Sequence, residues 1–184
     1  MQSIKKLIFL FFLTLTISSC YEFVNPVYND SDAGDFISAG LYEKSSINMK
    51  DGKYELEGQV ELSKNDKNIY TLSDPKEPLN NVIFVKLKNR LMAVQWEGKY
   101  GHNVYIGRYK DGILEIGAMD DKKGLKILED KYSLKSKKIK QINGQEISAG
   151  SPCCLKMENK EARMFIKEHA NLKKFVPLAI FKKI

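Results

Sequence analysis

Lys53-Tyr54-Glu55-Leu56-Glu57-Gly58-Gln59-Val60-Glu61-Leu62-Ser63 is the stretch that decides the fold class. Tyr54, Leu56, Val60 and Leu62 alternate with Glu55, Glu57, Gln59 and Glu61. A period of two gives an extended strand one apolar face and one wet face. Gly58 interrupts the apolar series, which predicts a bulge or a large cross-strand ring beside it. Asp51-Gly52 stands between this strand and residues 47–50, and this dipeptide takes the positive φ that a tight hairpin needs. The same device recurs at Asp111-Gly112, between residues 103–110 and 113–119.

Working outward, residues 69–72, 82–87 and 91–96 read as further strands, the last two joined by a Lys88-Asn89-Arg90 turn. Val82, Ile83, Phe84 and Val85 are consecutive, as in a central strand covered on both faces. Residues 36–43 read as the first strand, with Gly40 allowing a bend. Residues 120–142 fit either a helix, through Leu125, Leu128 and Tyr132, or short strands with lysine-rich turns. In residues 159–170, Ala162, Phe165, Ile166, His169 and Ala170 fall on one helical face, with Glu161 near the start and Lys167 near the end to suit the helix dipole. Residues 155–157 and 175–181 flank that helix as strands, and Pro177, lacking a donor, predicts that the last strand lies at a sheet edge. The fold class is therefore mainly β (α+β): an antiparallel meander forming a small barrel or sandwich, with one C-terminal helix and a final edge strand.

The first twenty residues have a different character. A basic start, residues 1–6, leads into an apolar run over residues 7–17, too short for the roughly 20 residues that span a bilayer as a helix. The run ends in Ile17-Ser18-Ser19-Cys20, which resembles the lipobox of bacterial lipoproteins: an aliphatic residue, two small ones and a cysteine. The resemblance implies a signal peptide over residues 1–19, cleavage recognised through Ile17, Ser18 and Ser19, and lipid attachment at Cys20. Two or more acyl chains give stable anchoring where one does not. Tyr21, where an Asp would mark inner-membrane retention in that family, implies an outer-membrane destination facing the periplasm. Residues 20–35 contain Asn25-Pro26 and a polar run from Asn29 to Asp35, which reads as a flexible tether of about 20 Å reach. Tyr21, Phe23 and Val24 have the alternative of bedding into the membrane interface or the domain. Residues 36–184 are then a single β-rich domain.

After the nineteen-residue signal, 165 of the 184 residues remain, enough for one core. Lys5 and Lys6 leave with the signal, so 28 basic residues of the total of 30 face 23 acidic ones. Residues 20–60 carry a net charge of −5 and residues 156–184 a net of +5. The lysines of residues 131–140 and the basic C-terminus read first as solvated faces, with contact to anionic lipid headgroups as the functional alternative. Basic residues and aromatics are not interleaved as a nucleic-acid surface requires, so no nucleic-acid partner is expected. With Cys20 acylated, Cys153 and Cys154 are left; as neighbours they cannot close a long loop, and an exposed thiol there suits an interchain or redox disulfide.

No nucleophile elbow, zinc motif, phosphate loop or dinucleotide fingerprint occurs, so no catalytic residue, metal or cofactor is assigned. His102 reads as a turn residue at a strand entrance and His169 as a helix-end residue. Trp96, Tyr105 and Tyr109 form a candidate binding surface, since Tyr105 and Tyr109 share a sheet face with Gly107 between them, although such rings also fill barrels. The expectation is a non-enzymatic envelope lipoprotein that binds a protein or glycan, with inhibition of a cell-wall-degrading enzyme such as a lysozyme as the alternative.

Overall fold

The computed structural model describes residues 21–48, 51–74, 79–98, 101–138, 141–142, 145–146, 154–172 and 174–184. The chain opens with β1 (Tyr21–Phe23) and a single 3-10 turn, Asp30–Asp32. A meander follows: β2 (Gly40–Ile47), β3 (Tyr54–Lys64), β4 (Tyr70–Ser73), β5 (Leu79–Lys86), β6 (Leu91–Glu97), β7 (His102–Lys110) and β8 (Ile113–Met119). The chain then leaves the barrel for α1 (Lys122–Lys131), α2 (Leu134–Lys137), β9 (Gln141–Ile142), β10 (Gln145–Glu146), β11 (Cys154–Leu155) and α3 (Asn159–His169), and returns as β12 (Phe175–Lys183). β12 inserts between β8 and β2. This closes an eight-stranded antiparallel barrel, β2-β3-β4-β5-β6-β7-β8-β12.

All eight strands point side chains into the barrel. Tyr42, Val60, Leu62, Tyr70, Leu72, Val82, Phe84, Met92, Val94, Leu114, Ile116 and Phe181 are buried there, with Tyr105 and Tyr109 of β7 packed against them. A second core lies outside. Leu91, Ala93, Val104 and Ile106 of β6 and β7 are covered by Tyr21 and Phe23, by Leu128 and Tyr132, and by Ala162, Phe165 and Ile166 of α3. β5, β6 and β7 are thus buried on both faces, which is why Val82–Val85 shows no alternation.

Of the two Asp-Gly devices only the second makes a two-residue turn: at Asp51-Gly52 the glycine alone has positive φ, 71°, and the connection is a longer loop between Ile47 and Tyr54, which pair across it. Asp111 and Gly112 have φ of 51° and 80°, and Lys110 pairs with Ile113 across them. Gly58 has φ of 139°, and the β2–β3 register slips beside it, so the break in the apolar series is a bulge. Residues 122–131 and 134–137 are helical, with a turn at Tyr132 and Ser133 between them. Gly124 in α1 lets Leu172 pack closely, since a Cβ there would come within 2.6 Å of Leu172 Cδ2 and displace that side chain.

Three expectations change. The first barrel strand starts at Gly40, because residues 36–39 close the end of the barrel instead: Ile37 is 1% exposed, and the Ile37 and Ser38 carbonyls accept from the Tyr70 and Tyr42 hydroxyls at 2.9 and 2.6 Å. The final strand is an edge only over its first residues, where Phe175–Pro177 pair with β8 alone; from Ala179 onward it has a partner on both sides, and Pro177 sits at the register shift. Residues 21–35 are packed instead of hanging free. β1 pairs antiparallel with β7 and parallel with β11, and Phe23, Val27 and Tyr28 are buried, since the outer face of β6 and β7 needs an apolar cover.

Candidate functional site

Gln95 is the polar exception in the apolar run of β6 and is 2% exposed. It points outward, and its Oε1 accepts from the Val27 and Tyr28 amides at 2.9 and 3.0 Å while its Nε2 donates to the Tyr28 carbonyl at 2.9 Å. Three bonds satisfy the buried backbone of an irregular segment that no sheet partner serves. Arg163 of α3 holds the same segment from the other side. Its guanidinium donates to the Val27 carbonyl at 2.9 Å and to both Asp32 carboxylate oxygens at 3.0 and 2.5 Å, and it lies 5.3 Å from the Tyr28 ring centroid.

The segment so clamped stands off the barrel wall and bounds an open cleft of about 650 Å³. Its lining comes from Ile69, Asn81 and Ile83, from Pro26, Asn29, Asp30 and Ser31 of the clamped segment, and from Glu97 and His102. Asn81 holds a left-handed conformation, φ 53°, within β5. His102, the first residue of β7 instead of a turn residue, lies directly across from Glu97. Burial of its imidazole outweighs the pull of Glu97 and Glu22 and holds its pKa below the ordinary histidine value. Burial likewise raises the Tyr28 phenol to about 12, so it stays protonated; its hydroxyl has no hydrogen-bond partner among the described residues. The cleft thus offers amide, hydroxyl, carboxylate and imidazole groups around a small apolar floor. Among the described residues, no three His, Cys, Asp or Glu side chains are grouped to hold a metal ion.

The aromatic trio is split by the sheet. Trp96 and Tyr105 stack at 4.7 Å with an interplanar angle of 6°, whereas Tyr109, about 13 Å along the strand, is bonded through its hydroxyl to Ser38 Oγ at 3.3 Å. All three pack against the barrel core. Gly107 between the tyrosines leaves room for Val94 and Met92, whose atoms a Cβ would approach to 2.7 and 3.0 Å. His169 is in the outer core, 1% exposed, stacked on Phe165 and edge-on to Tyr21, with neither ring nitrogen bonded among the described residues. Ile17, Ser18, Ser19, Cys20, Cys153 and the Cys154 side chain lie outside the described residues.

The cleft escaped the sequence reading because its walls come from five separated stretches of chain. One signal was present: a lone glutamine in a strand otherwise apolar from Leu91 to Trp96. Compared with family models, with curated proteins and with solved structures, the chain matches none.

Proposed function

We propose that this chain is a lipid-anchored, non-enzymatic binding module of a bacterial cell envelope, recognising an envelope protein or glycan through the cleft beside Gln95. The lipobox resemblance supports the anchor. The observation that carries the binding reading is the contrast between the two cores. The barrel interior is occupied by the protein's own rings, whereas a preformed polar cleft outside it is held open by the Gln95 and Arg163 clamps. A preformed site costs less ordering on binding, and mixed donors and acceptors over an apolar floor suit peptide backbone or sugar hydroxyls.

A photo-crosslinking residue in place of Ser31, in the full-length protein expressed in cells, tests the site. A discrete adduct that disappears with Glu97→Arg supports the reading. A pattern indistinguishable from the same crosslinker placed at Lys53, on the far side of the barrel, removes the cleft from consideration.

A further inference from the structure

The packed domain begins at the first residue after the cysteine. Tyr21 is 7% exposed, paired with Val104 and in ring contact with Phe165 at 4.7 Å and His169 at 5.3 Å. Adjacent Cα atoms are about 3.8 Å apart. A lipid on Cys20 is therefore bonded almost to the fold itself, with no free chain between.

The topology also fixes where the chain leaves the domain. Tyr21 pairs with Val104 of β7, and two residues along β7 its neighbour is already β8, with Ile106 opposite Gly117. Beyond Val104 that edge of β7 is occupied by β8, so β1 ends at Tyr21 where β8 begins. The start of α1 and the residues after α3 frame this exit: the Asp120 amide donates to the Lys174 carbonyl at 2.8 Å, Gly124 packs on Leu172, and His169 lies on Tyr21.

The surface around the exit is basic with an apolar element. Residues 122–138 hold seven lysines against Glu129 and Asp130. Lys123, Lys126 and Lys167 are exposed and in no ion pair among the described residues, whereas Lys131 and Lys174 are paired with Glu168 and Asp120. Ile127, on the outer side of α1, is 59% exposed. Exposed lysines around a projecting aliphatic side chain match an anionic lipid surface, which attracts each nearby cation and admits apolar groups at the headgroup boundary.

We propose that the acylated domain lies directly on an anionic membrane leaflet, with the outer side of α1 and the end of α3 against the headgroups. This rests on the acylation reading above. The anchor is then an orienting device, since it leaves the domain one face to turn to the lipid.

The full-length protein, purified from membranes and reconstituted in vesicles of phosphatidylethanolamine and phosphatidylglycerol, is treated with a lysine-acetylating reagent and mapped by mass spectrometry. Lys122, Lys123, Lys126 and Lys167 are expected to react several-fold more slowly than in detergent, with Lys53, in the turn between β2 and β3, unchanged. Lys123→Glu with Lys126→Glu, both at exposed positions, is expected to restore the reactivity of Lys122 and Lys167. The intact mass of the same sample separates the two ideas. An acylated protein whose lysines all react alike overturns the docking and leaves the anchor standing; a protein without acyl chains overturns the anchor and the docking with it.

Discussion

His169 shows how one residue can carry a pH dependence for the whole domain. The rings facing it, Tyr21 and Phe165, carry no charge, and burial alone lowers its pKa from 6.5 to about 4. A base whose folded pKa is depressed stabilises the fold fully above its unfolded pKa, and that contribution is lost as pH falls from 6.5 toward 4. At about 1.4 kcal/mol per unit, this amounts to about 3 kcal/mol. Urea midpoints measured across that range should fall for the wild type and stay nearly level for His169→Phe. At the barrel's other rim, Lys44 is bonded to Asp74 at 2.5 Å and Glu57 at 3.0 Å, with the Asp74 side chain 5% exposed. Those partners outweigh desolvation and raise the lysine pKa. Lys44→Met removes the ammonium bonded to the buried Asp74 carboxylate and should cost about 3 kcal/mol, most of it recovered when Asp74→Leu is added. A double-mutant cycle read by chemical denaturation checks both statements.

At the scale of elements, β5, β6 and β7 illustrate how far a local pattern reaches. The unbroken apolar run of β5 states that both faces are covered; it does not state by what, and the cover comes from β1, α1 and α3, all more than 35 residues away along the chain. The Gln95 clamp is the polar part of that cover. Gln95→Leu would strand the Val27 and Tyr28 amides and the Tyr28 carbonyl, and at about 1–3 kcal/mol for each buried unsatisfied group the expected loss is at least about 3 kcal/mol. The backbone amides of Val27 and Tyr28 should exchange much faster in that variant, while those of β3 keep their protection, as hydrogen exchange would report. Helix α1 was ambiguous for a related reason. Its glycine lowers intrinsic helix propensity by about 1 kcal/mol, and the close packing of Leu172 against it comes from outside the local pattern.

For the whole molecule, closure depends on the last strand. β8 and β2 are more than 60 residues apart, and β12 joins them through two ladders. Ending the chain at Lys174 would expose two long sheet edges and the barrel core. The expected result is loss of near-UV circular dichroism and association seen by size exclusion, where a β12 that merely decorated the sheet would leave a monomeric, cooperatively folding domain. Much of the barrel itself was legible: alternation in β3, the Asp51-Gly52 and Asp111-Gly112 turns and the spacing of the strands all act between near neighbours. The cleft and the packed N-terminal segment were not, because polar sequence such as residues 29–35 fits a free tether as well as a clamped wall until distant Gln95 and Arg163 are seen to hold it.

By itself, the sequence determined an antiparallel meander, a break in the apolar face at Gly58 and a helix facing inward through Phe165 and Ile166, each a matter of residues within about a dozen positions of one another. Tertiary structure alone decided barrel over sandwich, where β12 inserts, that Trp96 and Tyr105 face the core, and that no spacer separates Cys20 from the fold. The physical reason is that local pattern sets which face of an element avoids water, whereas the partner for that face is chosen among every apolar surface the chain can bring to it.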